Sequence, residues 1–367
     1  MARLGDMLVE ERLCSMAQIE EALETQVVHG GRLGTNLVEL GFIDLELLST
    51  YLAELSGLPV ATPTMLDAAD RVLLDTLGAD EAHRLRAVPL GYLGERSGPI
   101  AAAMVDPSDG HAVESLAARL GATITPYVVP ELRALYYLEK HFGTPRRARF
   151  IRTARPGTDP EPADERRKSQ PAGGIAMPPT LTLEPRRRRQ SQTPMSHSVP
   201  TALAYGAACE RIDTANNRDQ IADTFIEYAK GRCDALVVLL IRDGNALGWR
   251  AYVAPPTRPA RPIEELSLPL GGASALQSAH DACQTYLGPP PSPAKPVEST
   301  LWTALGADPT PIELLVVPVL VKQRTVNLIY AHTLGGSPPR ALVTELEDLA
   351  GRAQTSYLRL IRQTRGS

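Results

Sequence analysis

No stretch of this 367-residue chain is apolar for long enough to cross a bilayer. Runs such as residues 236–241 fall far short of the ~20 residues that a membrane helix needs. The first 25 residues carry Asp6, Glu10 and Glu11 and no apolar core, so no secretory leader is expected. There are only four cysteines (Cys14, Cys209, Cys233 and Cys283), and none forms a C-x-x-C pair or a zinc spacing. In a chain of this length they are expected as reduced thiols, and the protein as cytoplasmic. The seven histidines are scattered, so no metal site is expected. The chain has no G-x-x-x-x-G-K-[ST] phosphate loop, no H-E-x-x-H and no kinase signature. The glycine pair in GGAS, residues 271–274, fits no fuller phosphate-binding pattern. These absences argue against a conventional enzyme.

What is present is sharply segregated. Residues 1–143 hold 10 Lys/Arg against 21 Asp/Glu, net −11; residues 144–200 hold 12 against 5, net +7; residues 201–367 are balanced at 16 each. The middle segment has 10 prolines, few aliphatics and an RRRR run at residues 186–189. It cannot bury a core and is expected to be a disordered tether. The folded parts on either side should then move independently until a ligand binds. The RRRR run is read as a solvated charge cluster, with nucleic acid or anionic lipid as weaker alternatives.

The N-terminal 55 residues repeat themselves. RLGDMLVEERLCSMAQIEEALETQ (3–26) returns as RLGTNLVELGFIDLELLSTYLAEL (32–55) at a constant offset of 29. Arg3, Leu4, Gly5, Leu8 and Leu23 recur as Arg32, Leu33, Gly34, Leu37 and Leu52, and Ile19 returns as Leu48. Each unit reads as a short helix, a turn and a longer helix, with Ser15 as an N-cap in the first copy. Two copies present two equivalent faces, which suits a ligand that is itself two-fold symmetric. A glycine lets a planar base approach the backbone. An arginine can fork onto guanine O6 and N7 or stack on its face. Gln26 can donate and accept at a base edge, and a helix start offers N–H groups to phosphate. The same leucine spacing would also serve a plain helical-pair core with solvated arginines.

The two 24-residue motifs, their VVHGG spacer (residues 27–31) and their R-L-G openings resemble the MshEN family. This is the c-di-GMP-binding form of the N-terminal domain of type II secretion and pilus assembly ATPases. The chain departs from the family pattern at Leu55, where a second Gln is usual, at Arg12, where a turn glycine is usual (kept as Gly41), and at Cys14, where an aliphatic is usual. AAAMVDPSD, residues 101–109, resembles the segment that follows the repeats in that family, so the resemblance covers residues 1–143. It implies c-di-GMP held by Arg3, Leu4, Gly5, Leu8, Ile19, Leu23, Gln26, Arg32, Leu33, Gly34, Leu37, Leu48 and Leu52, with Asp106 near the nucleotide. An Asp-Pro turn explains Asp106 equally well. The family's ATPase module is missing, as is any GGDEF or EAL string that would make or destroy c-di-GMP.

Between residues 57 and 143, helical patches at 67–77, 115–120 and 131–141 alternate with strands at 87–93, 100–105 and 122–129, a small α/β subdomain. In residues 201–367, helices are expected at 201–212 and 218–230. A hairpin follows at 234–242 and 247–253, turned by Asp243-Gly244. After a Pro-rich insertion come a helix at 274–286, strands at 313–321 and 325–332, and a helix at 340–362. This order resembles a GAF-like sensor domain. The last helix carries Leu342, Leu346, Leu349, Ala353, Tyr357 and Leu360 on one stripe, which suits either its own core or a homodimer.

The expected fold class is therefore an α+β multidomain protein. It has a tandem helical repeat (1–56), an α/β subdomain (57–143), a linker (144–200) and a GAF-like α/β domain (201–367). The expected function is a non-catalytic c-di-GMP receptor. The alternative is an adaptor of a secretion or pilus machine that docks a partner and binds no nucleotide. Nucleic acid is a remote third. The purified chain is expected to turn over neither ATP nor c-di-GMP. Sustained hydrolysis that co-purifies with the protein and is abolished by a point substitution would contradict this.

Overall fold

The duplicated motifs fold as two helical hairpins in the computed structural model, which describes residues 3–143, 146, 202–293 and 295–366. The first repeat is α1 (Leu4–Glu10) and α2 (Met16–His29); the second is α3 (Leu33–Glu39) and α4 (Leu45–Ser56). Arg3 and Arg32 occupy the N-cap positions of the two short helices. Ser15 closes a capping box with Gln18 at the start of α2, and Asp44 caps α4. The turn position that is Gly41 in one copy and Arg12 in the other is left-handed in both, at φ 76° and 61°, so Arg12 holds a conformation that glycine adopts freely.

The hairpins pack reciprocally. A Cβ on Gly5 would stand 3.3 Å from Ile19 of its own repeat and 3.7 Å from Leu33 of the other. A Cβ on Gly34 would stand 2.6 Å from Leu48 of its own repeat and 3.3 Å from Leu4 of the other. Each motif thus sets its leucine against the other's glycine. Leu8, Ile19, Leu37 and Leu48 are buried at the centre of the cluster.

The repeats run into α5 (Pro63–Asp67), α6 (Arg71–Leu77) and α7 (Ala79–Leu85), then β1 (Ala87–Tyr92), β2 (Ile100–Met104), α8 (Gly110–Leu120), β3 (Ile124–Val128) and α9 (Glu131–Phe142). β1 pairs antiparallel with β2, and β2 pairs parallel with β3 through the α8 crossover. Residues 100–104 are buried on both faces.

The C-terminal part is a mixed α/β domain. It comprises α10 (Tyr205–Asp213), α11 (Arg218–Ala229), β4 (Ala235–Arg242), β5 (Asn245–Val253), β6 (Ser267–Pro269), α12 (Ala275–Ala282), β7 (Tyr286–Gly288), α13 (Pro296–Leu305), β8 (Leu314–Val321), β9 (Arg324–His332) and α14 (Arg340–Gly366). Its sheet has the order β6-β5-β4-β9-β8-β7. β4 is central, and its continuous apolar run serves two cores. Leu236, Val238 and Leu240 face α10, α11 and α14, while Ala235, Val237 and Leu239 face α12 and α13. All six residues of the α14 stripe are buried in the first of these cores, which makes it an intramolecular helix face.

Two expectations need correction. The helix expected over 274–286 ends at Ala282, and Tyr286 begins a strand. The folded parts expected to move independently pack as one compact unit, because α2 lies along α14 and Val28 enters the C-terminal core. The disordered linker expected over 144–200 lies outside the described residues, Arg146 apart.

Two stability predictions follow from this packing. Gly34→Ala should destabilise the chain by about 1–3 kcal/mol, since Leu48 is almost fully buried and cannot yield the space. Gly5→Ala needs a shift of only a few tenths of an ångström and gains helix propensity, so it should stay within about 1 kcal/mol of wild type. Urea denaturation of both variants checks the order. The second concerns His332, which is buried. Trp302 Nε1 donates to the Tyr330 hydroxyl at 2.6 Å, and an indole can only donate, so the tyrosine proton is free to go to His332 Nδ1 at 2.9 Å. Burial, partly opposed by Asp234, pushes the imidazole down to about 4. A histidine depressed in the folded state binds its proton only on unfolding. Stability should therefore fall as pH drops below about 6.5 toward 4, by about 3 kcal/mol from this residue. His332→Gln should remove that part of the acid slope, measured as the difference between variant and wild type across pH 7 to 4.

Candidate functional site

The second repeat is held to the α/β subdomain by one buried carboxylate. Glu131, the first residue of α9, accepts from the backbone N–H of Arg32 at 3.1 Å and from the Thr35 hydroxyl at 2.8 Å through Oε2, and pairs with Arg86 through Oε1 at 2.5 Å. Arg32 makes no side-chain cap bond, and an acid brought from 99 residues away takes its backbone N–H, the bond that the back-reaching acid of a capping box makes. A second link runs from the buried Arg133 to Ser49 and Glu46 of α4.

With its backbone fixed, Arg32 sends its guanidinium out to Val105 C=O (2.9 Å) and to the Asp106 carboxylate (3.1 Å). Burial pushes the Asp106 carboxyl up. The Ser108 hydroxyl and the Arg32 guanidinium outweigh it and hold the group below its usual value. Both side chains of the pair are about half exposed, so solvent screens the attraction and a competing ligand displaces it at small cost. A cavity of about 290 Å³ opens beside them, lined by Arg84, Arg86, Asp109 and His111 as well as the pair itself. That volume is at the lower end of ligand pockets, enough for part of a ligand.

The sequence-derived residues separate into two kinds. Leu8 and Leu37 are wholly buried, and Ile19 and Leu48 nearly so; as packed they support the site from beneath. Leu4, Leu23, Leu33 and Leu52 are half-buried at the edge of the same cluster, and Gly5 and Gly34 are covered by the reciprocal leucines. Arg3 is exposed at the start of α1. Gln26 is half-buried in the last turn of α2, where its carbonyl accepts from Gly30 N–H at 2.8 Å. Arg32 and Asp106, 74 positions apart, are brought into contact. Glu131, Thr35 and Arg86 escaped the sequence reading. The only local signal was Thr35, the one hydroxyl directly behind an R-L-G motif.

The model of the family described as MshEN domain matches residues 56–148, from the end of α4 through the whole α/β subdomain. The type IV pilus assembly ATPase PilB of Myxococcus xanthus (strain DK1622) is 31% identical over 141 residues, which are 38% of this chain and 24% of PilB. The chain thus spans about a quarter of that relative's length. The solved structure of MshE with cdg is 34% identical with a TM-score of 0.32, covering 39% of this chain and 100% of that one. The GAF domain from a phosphoenolpyruvate-protein phosphotransferase (ptsP) from Coxiella burnetii matches at 12% identity and a TM-score of 0.36, covering 43% of this chain and 93% of that domain. The resemblance read from the sequence rested on the repeats and on residues 101–109, whereas the family model matches the α/β subdomain, to which Glu131 fastens the second repeat. The N-terminal part of this chain is an MshEN domain.

Proposed function

We propose that this chain is a cytoplasmic, non-catalytic receptor for c-di-GMP, with the nucleotide held across the two R-L-G motifs. The observation that carries the reading is the reciprocal packing of the repeats. Arg3 and Arg32 stand at equivalent helix starts, and each motif's leucine covers the other's glycine. A two-fold symmetric ligand with two guanines matches such a pair. The arginines would fork onto or stack with the bases. The half-buried Leu4, Leu23, Leu33 and Leu52 would rim them. Asp106 would exchange its pairing with Arg32 for a contact to the ligand. For the bases to reach Gly5 and Gly34, Leu33 and Leu4 would have to swing away and the nearer Ile19 and Leu48 to give way as well. The neighbouring structure of MshE with cdg supports the choice of ligand. The domain plan is 1–143 for the receptor, 144–200 for a tether and 201–367 for the GAF-like domain.

A second reading is an adaptor of a type IV pilus or type II secretion machine that docks a partner without nucleotide. Its support is the similarity to a pilus assembly ATPase. Calorimetric titration of the full chain separates the two. Binding of c-di-GMP is expected at micromolar affinity or better, about −8 kcal/mol. Arg3→Ala and Arg32→Ala should each weaken it by about 1–3 kcal/mol. Wild-type affinity in the double variant would remove the R-L-G motifs from the site, and an absence of heat with wild type would favour the adaptor.

A further inference from the structure

The five-residue spacer that joins the repeats is gripped by the C-terminal domain. Val28 is buried in that domain's core, and Val27 packs against it. Arg218, the first residue of α11, lies with its guanidinium 4.5 Å from the centre of the Trp249 ring and donates to Val28 C=O at 2.9 Å. The same guanidinium lies over Gly30. A Cβ there would stand 2.5 Å from Nη2, and the glycine's φ of +76° is one that other residues rarely adopt. From the other side, the buried Asn36 of α3 donates to Gly30 C=O at 3.0 Å and to Arg32 C=O at 2.9 Å. Asn36 therefore ties the gripped spacer to the residue that reaches Asp106.

The C-terminal domain also holds both repeats. Lys322, in the β8–β9 turn, pairs with Glu24 of α2. Arg242, at the end of β4, pairs at 2.9 Å with Glu39 at the end of α3, and these two side chains are only 15% and 4% exposed. A ligand that spans the repeats must set the angle between α1–α2 and α3–α4. That angle is already fixed at three points by another domain: the spacer, the first repeat and the second. Two sites that bias one shared geometry are linked equilibria, and the linkage is reciprocal.

We propose that the Arg218–Gly30 clamp couples nucleotide occupancy of the repeats to the C-terminal domain, so that the GAF-like domain senses whether the repeats are filled. The proposal rests on the nucleotide reading above and adds to it the route by which binding is reported. No direct contact between ligand and C-terminal domain is needed. The signal passes from Arg32 through Asn36 and Gly30 to Arg218, and through Glu39 to Arg242.

The test uses the full chain. Hydrogen exchange is measured on the wild type with and without c-di-GMP, and affinity is measured by calorimetry for wild type, Arg218→Ala and Gly30→Ala. Ligand should change amide exchange at the start of α11 and in the β4–β5 hairpin. Each variant should shift Kd at least 5-fold, the lower end of typical coupling. If wild type binds c-di-GMP but exchange in residues 218–253 is unchanged and Arg218→Ala binds within two-fold of wild type, the coupling is overturned and the receptor reading stands. If wild type fails to bind at all, both fall. Should a variant fail to fold, the wild-type exchange measurement decides alone.

Discussion

The carboxylate of Glu131 settles where the second repeat stands. It is buried, and it satisfies the backbone N–H of Arg32 at the N-cap of α3, the Thr35 hydroxyl and the Arg86 guanidinium together. A charge in that position is stable only because every partner is present. With α3 fixed at its start, Arg32 extends toward Val105 and Asp106. The first repeat is built differently. The residue equivalent to Thr35 is Asp6, which as a carboxylate cannot donate to another acid. Two motifs that match in sequence are therefore anchored by unlike means, the second to the α/β subdomain through Glu131 and the first to the C-terminal domain through Val28 and Glu24.

Features that depend on near neighbours were legible in the sequence. The repeat offset, the Ser15 cap and the apolar stripe of α14 all follow from spacing within one or two turns. So does the Asp243-Gly244 turn, with φ of 47° and 72° at its two central residues. Elements beside strong punctuation were lost. α7 starts immediately after Gly78, β6 lies in the stretch read only as a proline-rich insertion, and β7 and α13 lie between the expected helix start at 274 and the strand expected at 313, where no such elements were expected. α13 in fact takes Pro296 as its first residue, where proline's fixed φ suits a helix start.

Long-range polar pairs left no local trace. Glu131 reads as an ordinary first-turn acid of α9, and Arg218 as an ordinary first-turn residue of α11. Their partners lie 99 and 190 positions away. The association of the two folded parts did leave a signal. Val27 and Val28 are adjacent apolar residues in a segment that, as a mere spacer, had no reason to hold them. Net charge drew attention to the tether, while the docking is carried by two valines, a stacked arginine and a buried ion pair.

The two arginine–carboxylate pairs on α3 differ in burial, and that difference orders what can move. Arg32–Asp106 is about half exposed, and pairs of that kind contribute about 0–1 kcal/mol, so opening it toward a ligand costs little. Arg242–Glu39 is shielded, and removing one partner of a buried pair typically costs about 3–5 kcal/mol. At the start of α3 only the Arg32 side chain is thus free to exchange partners, since Glu131 holds its backbone while Glu39 stays fastened to β4. On the coupling proposed above, exchange at Arg32 would load a helix held at both ends rather than release it, and Asn36, Gly30 and Arg218 are the groups that join that helix to the C-terminal domain.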